Sequence, residues 1–283
     1  MMQFESTPPA TGALVRPRAP DRRGALNPRI VDWHGRRVWL IGASSGIGEA
    51  LAVELAARGA LLALSARRRP ALELLAQRLG SVPHILPADV ADREALAGAC
   101  QSLIGSWGEI DLVIWLAGDY REMRVDSFEL AEARRLVEIN LLAVYNGLDV
   151  LLPVFERQRS GGLALVSSVA GYRGLPKALA YGPGKAGLIN LAESLYLDLQ
   201  PRGVGVWLID PGFVATPLTA QNAFRMPALI SAEAAAREIV SGFASGGFEM
   251  HFPKRFTRWM KLMRVLPYAW YFPLVARMTR PRP

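Results

Sequence analysis

The chain has few of the residues that build disulfides or metal sites. Its 283 residues include one cysteine, Cys100, and three scattered histidines, His34, His84 and His251. A single cysteine excludes a disulfide within the chain, and no cysteine or histidine cluster has the spacing of metal ligands. We therefore expect no metal site, and a reducing compartment is compatible with this composition.

Long apolar runs are also absent. No stretch of eighteen or more apolar residues occurs, so a membrane-spanning helix is not expected, and the N-terminus lacks the apolar segment of a secretion signal. The first 27 residues instead carry four prolines among scattered arginines. We expect residues 1–35 to form a flexible N-terminal arm of a cytoplasmic protein.

Acidic residues are missing from the C-terminal region. The net charge is +8, and the stretch from His251 to Pro283 contains eight basic residues and no acidic one. Subtracting those eight from the 33 basic residues of the whole chain leaves 25, which equals the number of acidic residues. The excess charge therefore belongs to the tail, which argues against nucleic-acid binding by the folded body.

Short apolar segments alternate with amphipathic segments along most of the chain. The segment Val38–Ile41 ends at a glycine and suits a buried parallel strand, and a helical pattern over 46–57 follows it. Further strands are predicted at 60–64, 82–86, 112–116, 163–166, 204–209 and 248–252, and further helices at 70–80, 92–104, 131–155, 185–199 and 231–243. This order predicts an α/β fold, a Rossmann-type doubly wound parallel sheet in a single domain of residues 36–253.

A glycine-rich turn connects the first predicted strand to the first helix. Glycines permit positive φ angles and let the backbone approach a pyrophosphate closely, while the start of a helix favours its negative charge. A tight connection without a ligand is the alternative explanation of such a turn. Cofactor contacts are predicted for Gly42, Ser44, Ser45, Gly46, Ile47 and Gly48.

The second predicted strand ends in basic residues. A site for NAD usually has an acidic residue near this point to hold the ribose 2′-hydroxyl. This chain has Arg67, Arg68 and Arg69 there instead, and guanidinium groups pair well with a 2′-phosphate. We therefore predict NADP(H) in preference to NAD(H), the alternative being a solvated basic turn before a helix.

Tyr181 and Lys185 are four residues apart and share one face of a helix. A nearby ammonium group favours tyrosinate, so it lowers the pKa of a tyrosine from its usual value of about 10 toward the range of a general acid or base. Pro183 is tolerated only in the first turn, which predicts that Tyr181 lies at a helix start. Surface helices often contain such a pair, so its meaning depends on the other motifs.

Together these motifs resemble the short-chain dehydrogenase/reductase superfamily, in the branch with Gly-x-x-x-Gly-x-Gly and Tyr-x-x-x-Lys. The resemblance covers residues 36–245. Its further motifs, in chain order, are Asp89-Val90, Ala117-Gly118, Asn140, Ser167-Ser168-Val169-Ala170-Gly171 and Pro211-Gly212-Phe213-Val214-Ala215-Thr216.

The resemblance implies a role for each matched residue. Tyr181 would exchange a proton with the substrate oxygen, and Ser168 would hydrogen-bond that oxygen. Lys185 would hold the nicotinamide ribose, and Asn140 would hold a water that links Lys185 to solvent. The implied cofactor contacts are Asp89, Val90, Ala117, Gly118, Tyr181, Lys185, Pro211, Gly212, Val214 and Thr216. Members of the superfamily are usually dimers or tetramers, so a homo-oligomer is also expected.

Two positions depart from the family pattern. The family usually has Asn-Asn-Ala-Gly after the fourth strand, whereas this chain has Trp115 and Leu116 in place of the two asparagines, which removes side-chain hydrogen bonds that brace the sheet. Gly182 and Gly184 flank Pro183, and each glycine is expected to loosen a helix start by about 1 kcal/mol. Neither departure removes a reactive group.

The tail has an amphipathic pattern. Residues 254–266 place apolar side chains on one arc of a helix and basic side chains on the other, and an aromatic cluster follows at 268–272. We predict that residues 254–283 form a basic amphipathic extension. Three partners fit it: an anionic membrane surface contacted through 254–272 on the inner face of a membrane, the substrate pocket, or another subunit.

The expected function is hydride transfer between NADP(H) and an apolar carbonyl or alcohol. Apolar residues in the segment 218–230 favour an apolar substrate over a sugar, with Tyr120, residues 172–176 and Phe213 as further contacts. A non-catalytic nucleotide-binding scaffold or sensor, recruited to a membrane by its tail, is the alternative. A lyase or epimerase is a third possibility. A scaffold has no need of the complete catalytic set around Tyr181.

Overall fold

The computed structural model describes residues 24–222 and 226–279. These residues form a sheet of seven parallel strands in the order β3-β2-β1-β4-β5-β6-β9, and β7 pairs with β8 separately. The strands are β1 (Arg37–Ile41), β2 (Leu61–Ser65), β3 (His84–Ile85), β4 (Leu112–Trp115), β5 (Gly162–Val166), β6 (Gly205–Pro211), β7 (Val214–Ala215), β8 (Ile230–Ser231) and β9 (Glu249–Phe252).

Helices cover both faces of this sheet. They are α1 (Gly46–Ala56), α2 (Arg69–Ala76), α3 (Arg93–Trp107), α4 (Leu130–Val137), α5 (Ala143–Gln158), α6 (Tyr181–Leu199), α7 (Ala232–Ser245), α8 (Lys254–Arg264) and α9 (Tyr268–Thr279). The helix predicted over 131–155 is a continuous run in which a π-helical turn, Glu138–Leu142, separates α4 from α5. The arrangement confirms the predicted Rossmann-type fold.

The core lies in two layers because the strands are apolar on both faces. Successive side chains of β1 point to opposite sides of the sheet. Trp39 and Ile41 join a buried cluster with residues of α3, α5 and α6, whereas Val38 and Leu40 join a cluster with residues of α1, α2 and α7. Helices thus cover both faces, and the carboxyl edge of the sheet carries the loops.

The helical run Leu130–Gln158 has the length and mean hydropathy, 1.4 over an 18-residue window, of a helix that crosses a membrane. However, Val144, Leu148, Leu151 and Phe155 lie along one side of α5 and are buried in the core. Core helices of soluble proteins share this length and composition, so the run is weak support for a membrane span.

The segment from residue 24 to residue 35 is packed onto the domain, contrary to the prediction that the flexible arm extends to residue 35. The Asn27 side chain exchanges two hydrogen bonds with the backbone of Val206 in β6, at 2.7 and 3.0 Å. Trp33 is buried and meets the Phe243 ring edge-on, with centroids 5.4 Å apart. The expected boundary is therefore too late in the chain, and residues 1–23 lie outside the described part.

The C-terminal helices α8 and α9 belong to the same packed body. Met260 and Met263 of α8 and Tyr271 and Val275 of α9 are buried in the cluster that also contains α5 and α6 residues. One face of the predicted amphipathic extension is therefore covered by the domain itself. Residues 280–283 lie outside the described part.

Candidate active site

The carboxyl ends of four neighbouring strands bring the predicted motifs together. Ala117 N donates to Ile41 O at 2.8 Å, which places the end of β4 beside the end of β1. Ser167 N donates to Ile209 O at 2.8 Å, which joins the ends of β5 and β6 in the same way. Strand order reverses between β1 and β4, and open α/β sheets bind ligands in the crevice at such a point.

Each glycine of the turn after β1 meets a different neighbour. A Cβ on Gly42 would lie 2.5 Å from Ala117 N, and one on Gly46 would lie 2.9 Å from the Thr216 Cγ2. A Cβ on Gly48 would overlap the carbonyl oxygen of Gly42. The φ angles of Gly42 and Gly46 are +100° and +58°, which side chains disfavour. The turn therefore closes against both the β4 end and the segment after β6.

The start of α1 keeps polar groups for a ligand. Ser45 is the N-cap residue of α1, and its side chain makes no capping hydrogen bond with the helix. Ser44, Ser45 and Ile47 are half-buried beside the turn. The first N–H groups of a helix and adjacent hydroxyls form an anion site, which fits the pyrophosphate of a dinucleotide.

Tyr181 is the first residue of α6, as the position of Pro183 predicts, and Lys185 follows one turn later. Lys185 is buried, and its Nζ donates to Val166 O at 3.0 Å and lies 5.8 Å from the centre of the Tyr181 ring. Ser168 follows β5, and its hydroxyl is near enough to the Tyr181 phenol to lower the pKa of that phenol. The three side chains therefore lie close together at the carboxyl edge of the sheet.

Asn140 lies in the π-helical turn and is buried next to Lys185. Its Nδ2 donates to the carbonyl oxygens of Asp119 and Leu136, and its Oδ1 accepts from Asp119 N. A Cβ on Gly118 would lie 3.0 Å from the Asn140 Oδ1 and 3.2 Å from the Lys185 Nζ. Glycine at this position therefore leaves the space that the amide and the ammonium group share.

The irregular start of α6 has a packing reason. A Cβ on Gly184 would lie 3.3 Å from the Cβ of Asn140, a tight contact, whereas one on Gly182 would make only ordinary contacts. Gly184 thus lets α6 approach the π-helical turn closely. This approach brings Lys185, the next residue of α6, near Asn140.

Burial controls the protonation of the central pair. It raises the pKa of Tyr181 to about 12, and the hydrogen bond with Ser168 opposes this rise. It also lowers the pKa of Lys185 to about 8, against the attraction of Asp210. The lowering of the Tyr181 pKa that we expected from Lys185 is thus not seen, because desolvation of a phenolate outweighs it. Tyr181 is a proton donor at neutral pH.

The predicted nucleotide contacts surround the same crevice. Gly42 N donates to Ser65 O at 2.7 Å, so the end of β2 lies next to the glycine turn. Arg67 and Arg68 come two and three residues later, are exposed, and form no ion pair with a described residue, whereas Arg69 pairs with Glu73.

Further along the edge, the loop after β3 carries Asp89 and Val90. The Asp89 Oδ1 accepts from Ala91 N at 3.0 Å, which fixes the loop, and Val90 is buried beneath it. Gly212 N donates to Phe252 O at 2.7 Å and holds the segment after β6 against β9. Val214 in β7 is buried, and the side chain of Thr216 occupies the space that a Cβ on Gly46 would enter.

Sequence reasoning missed a buried acidic cluster behind the site. Asp210, the penultimate residue of β6, is fully buried, and neither of its carboxylate oxygens has a hydrogen-bond partner among the described residues. Glu249 in β9 accepts from the Tyr172 hydroxyl at 2.6 Å and pairs with the Lys261 Nζ of α8 at 2.5 Å. An acidic residue inside the apolar run of β6 was the available signal.

The pKa values of the two carboxyls are shifted in opposite directions. Burial and the nearby Glu249 raise the pKa of Asp210 well above its usual range. Burial disfavours ionisation of Glu249 too, yet hydrogen bonds from Lys261 and Tyr172 outweigh it and lower its pKa. Burial also raises the pKa of Tyr172, so its hydroxyl remains a donor to Glu249.

Trp115 replaces the expected asparagine by filling space. It is buried, and a Cβ on Gly147 of α5 would collide with its ring, so the glycine makes room for the indole. Its Nε1 has no partner among the described residues. The hydrogen bonds lost with the family asparagines are thus replaced by packing between β4 and α5.

Aromatic side chains lie on the substrate side. Tyr120 meets the Tyr181 ring edge-on, with centroids 5.0 Å apart, and Phe213 packs against Phe256 of α8 at 5.6 Å. Tyr172, expected to contact substrate, instead directs its hydroxyl to Glu249. In the predicted apolar segment, Leu229 is exposed, and residues 223–225 lie outside the described part.

Known proteins resemble this chain over most of its length. A family model described as short chain dehydrogenase matches residues 36–225. An uncharacterised oxidoreductase of Myxococcus xanthus is 34% identical over 235 residues, covering 82% of this chain and 93% of that protein. The 3-oxoacyl-[acyl-carrier-protein] reductase FabG of Escherichia coli is 29% identical over 189 residues, covering 67% of this chain and 78% of that protein.

Solved structures share the fold. The crystal structure of levodione reductase superposes with a TM-score of 0.71 at 23% identity, covering 80% of this chain and 99% of that one. A short-chain type dehydrogenase/reductase from Mycobacterium marinum also gives 0.71, at 22% identity, covering 78% of this chain and 94% of that one. At these identities the likeness concerns the fold alone.

Proposed function

Since this chain belongs to the short-chain dehydrogenase family, whose members use nicotinamide cofactors, we propose that it transfers a hydride between NADP(H) and an apolar carbonyl or alcohol. The observation that carries the proposal is the grouping of Tyr181, Ser168 and Lys185 at the carboxyl edge, beside the glycine turn. The nicotinamide, when bound, supplies or accepts the hydride. The protein's residues position the reactants and move the proton.

In the proposed reaction Tyr181 serves as the general acid in the reducing direction. Its raised pKa keeps it protonated at neutral pH. Ser168 would donate a hydrogen bond to the substrate oxygen that receives this proton, which would stabilise the charge that develops on a carbonyl. Lys185 would hold the nicotinamide ribose. The buried contact of Asn140 near Lys185 supports a proton path from the ammonium group toward solvent. FabG, a similar protein, is named as a reductase, which agrees with this direction.

The proposed preference for NADP(H) rests on Arg67 and Arg68. Both are exposed and unpaired with described residues at the end of β2, and no acidic residue is available there for a ribose 2′-hydroxyl. A charged hydrogen bond contributes about 1.5–3 kcal/mol, so Arg67→Ala with Arg68→Ala should lower kcat/KM for NADPH by roughly 10–100-fold and leave NADH nearly unchanged.

Arg69→Ala is the matched control for this experiment. Arg69 is adjacent in sequence but is engaged by Glu73 at 2.8 Å. We expect it to change the NADPH to NADH ratio by less than about threefold, since surface substitutions of this kind have small effects. Equal turnover with the two cofactors in the unmodified protein would reject the proposed preference.

The proposed substrate is an apolar compound, and the proposed assembly is a homo-oligomer. Tyr120 beside Tyr181 and Phe213 on Phe256 give the substrate side an aromatic surface. The test is a panel of apolar ketones, aldehydes and alcohols against sugars, followed through nicotinamide absorbance. Preference for a sugar would contradict the substrate class. No observation among the described residues favours the non-catalytic scaffold, and the complete set around Tyr181 favours an enzyme.

A further inference from the structure

Exposed apolar side chains are concentrated on α8 and α9. Seven of the twenty exposed large apolar residues of the described chain lie within residues 254–279, although this segment is only about a tenth of that chain. Val265 and Trp270 are 75% and 69% exposed. The seven are Trp259, Leu262, Val265, Tyr268, Trp270, Phe272 and Met278. We call them the outer face.

The outer face is distinct from the face that packs on the domain. Met260 and Met263 of α8, and Tyr271 and Val275 of α9, are buried in the core. Trp259, Leu262 and Val265, spaced three residues apart, continue the apolar arc of α8 beyond Met263 and remain exposed. The helices are therefore anchored to the body, and a surplus of apolar surface points to solvent.

Charge identifies what fits this surface. Five exposed basic residues accompany the outer face, none forms an ion pair with a described residue, and residues 254–283 include no acidic residue. They are Lys254, Arg255, Arg258, Arg264 and Arg277. Tryptophan, tyrosine and aliphatic side chains bordered by basic residues suit the boundary of an anionic lipid layer.

Two other occupants fit less well. A second copy would bring a face of the same positive charge, which costs energy when two such faces approach. A nucleic acid would satisfy the arginines but would leave Leu262, Val265 and Met278 without an apolar environment. A lipid headgroup layer satisfies both halves of the surface because acyl chains lie directly beneath the phosphates.

The helices also touch the catalytic loop. Arg173, five residues after Ser168, donates to Leu266 O at 2.5 Å at the end of α8, and its guanidinium lies 4.0 Å from the Tyr271 ring centre. The Tyr271 hydroxyl donates to Gly174 O at 2.7 Å. A cavity of about 440 Å³, lined by Tyr172, Arg173, Leu266 and Tyr268 among others, opens between the loop and the helices.

We infer that the outer face of α8 and α9 docks on an anionic lipid surface and that the apolar substrate is taken from that surface. The second part rests on the proposed function, because it assigns the source of the carbonyl compound. The first part does not depend on catalysis. Arg173 connects the two, since it holds the docking helices against the loop that carries Ser168.

Docking is tested by sedimentation of the full chain with vesicles. We expect binding to vesicles of phosphatidylcholine mixed with phosphatidylglycerol, little binding to phosphatidylcholine alone, and release by salt. Each basic residue near such a surface contributes a factor of about five, so Arg255→Ala with Arg258→Ala should weaken partitioning by roughly 30-fold. Trp270→Ser with Phe272→Ser should weaken it by about tenfold or more.

Matched controls change other exposed residues. Val82→Ser with Val125→Ser removes two exposed apolar side chains elsewhere, and Arg134→Ala with Arg157→Ala removes two exposed charges. Both controls should bind vesicles like the unmodified chain. No binding to anionic vesicles, or equal loss in face and control variants, would overturn the inference. So would outer-face variants that dissociate an oligomer, or a chain that prefers a single-stranded DNA oligonucleotide to anionic vesicles.

A separate arm keeps docking and catalysis distinguishable. Tyr181→Phe should bind vesicles normally although it has lost hydride transfer. An unmodified chain that binds vesicles but transfers no hydride would refute the proposed function and leave docking intact. With an active enzyme, we expect anionic vesicles to lower KM for a long-chain aldehyde dissolved in them by about tenfold and to leave a short water-soluble aldehyde unaffected. An unchanged KM for the long-chain aldehyde would overturn the assigned substrate source.

Discussion

Beside β1 and β4 the candidate site is built from glycine and backbone, whereas beside β6 and β9 it is built from buried charge. On the first side, Gly42, Gly46 and Gly118 leave room for close approach. On the second side, Glu249 accepts a hydrogen bond from Tyr172 and pairs with Lys261 of α8, next to the buried Asp210, whose carboxylate oxygens have no hydrogen-bond partner among the described residues. The first side accommodates a ligand by its shape. The second side includes buried carboxyl groups, whose desolvation costs free energy in the folded state.

This difference decides which substitutions affect turnover and which affect folding. On the glycine side, Tyr181 acts only when a ligand is bound, so loss of its hydroxyl is expected to cost the empty protein little. The charged side contributes to the folded state at all times, because its carboxyls are desolvated whether or not a ligand is bound.

The largest expected effect comes from Tyr181→Phe. Loss of the phenol removes the proposed proton donor, so kcat should fall by about 10²–10⁴-fold, while the unfolding midpoint changes little. Stopped-flow or steady-state rates with NADPH measure the change in kcat, and urea unfolding measures the change in the unfolding midpoint. The exposed Tyr145→Phe is the control and should keep full activity. If Tyr181→Phe kept its activity, Tyr181 could not be the proton donor.

Lys261→Met tests the charged side. Lys261 pairs with Glu249 beside the buried Asp210, and its side chain is 36% exposed, so part of the effect is screened by solvent. We expect a loss of about 1–3 kcal/mol in the free energy of unfolding. Glu249 has a lowered pKa, so its stabilisation is present above the unfolded value of about 4.3 and is lost as pH falls through the folded value.

Lys254→Met is the control for Lys261→Met, because Lys254 is exposed on the same helix. It should change the free energy of unfolding by less than about 0.5 kcal/mol. The Lys261→Met loss should also shrink in acid, where protonated Glu249 needs no cation. An equal loss in both variants, or one independent of pH, would assign the effect to helix packing.

The pH dependence of reduction tests Lys185, which lies beside Gly118 on the glycine side. Burial lowers the pKa of Lys185 to about 8, so its positive charge is lost as pH rises through that value. We expect kcat/KM for NADPH to be level below this pKa and to fall about tenfold per pH unit above it. Rates measured across this range, with Lys185→Arg as the variant that stays charged, check the assignment. A profile of Lys185→Arg that still breaks near pH 8 would point to another group.

The smallest effect, and one of opposite sign, is expected for Asp210→Asn. The raised pKa of Asp210 means that its stability contribution is complete below the unfolded value of about 3.9 and declines as pH rises. An amide does not ionise, so its burial costs the same free energy at every pH. The substitution also breaks no hydrogen bond with a described residue, since both carboxylate oxygens of Asp210 are unpaired. We expect a gain of about 1 kcal/mol at neutral pH that disappears in acid, by urea unfolding. A loss at every pH would show that the carboxyl itself is needed.

The contrast between the two sides also explains what the sequence could predict. The glycine turn, the helix start at Tyr181 and the alternation of strands are local patterns, and each was placed from neighbouring residues. The pairing of Asp210 with Glu249 depends on the parallel register that sets Leu208 opposite Glu249 and Asp210 opposite His251. That register joins segments separated by α7, which composition and spacing do not reveal.

The same limit applies to both ends of the chain. Arginines and prolines predicted a flexible arm up to residue 35, but Asn27 and Trp33 are fixed by β6 and α7. Amphipathicity predicted α8 correctly, yet it did not distinguish the stripe of Met260 and Met263, which the domain covers, from the outer stripe. Helical periodicity defines a face, and only tertiary packing shows which neighbour covers it.

The position of Lys261 has a consequence for how the protein is made. Asp210 leaves the ribosome 51 residues before Lys261, a delay of about 3–10 seconds at the usual speed of synthesis. Until β9 arrives, β6 has a free edge, and its acidic residue lacks the distant cation that later joins the cluster. The nascent chain therefore passes through an interval in which β6 has been made but the neighbouring strand and the cation that complete this edge of the sheet have not.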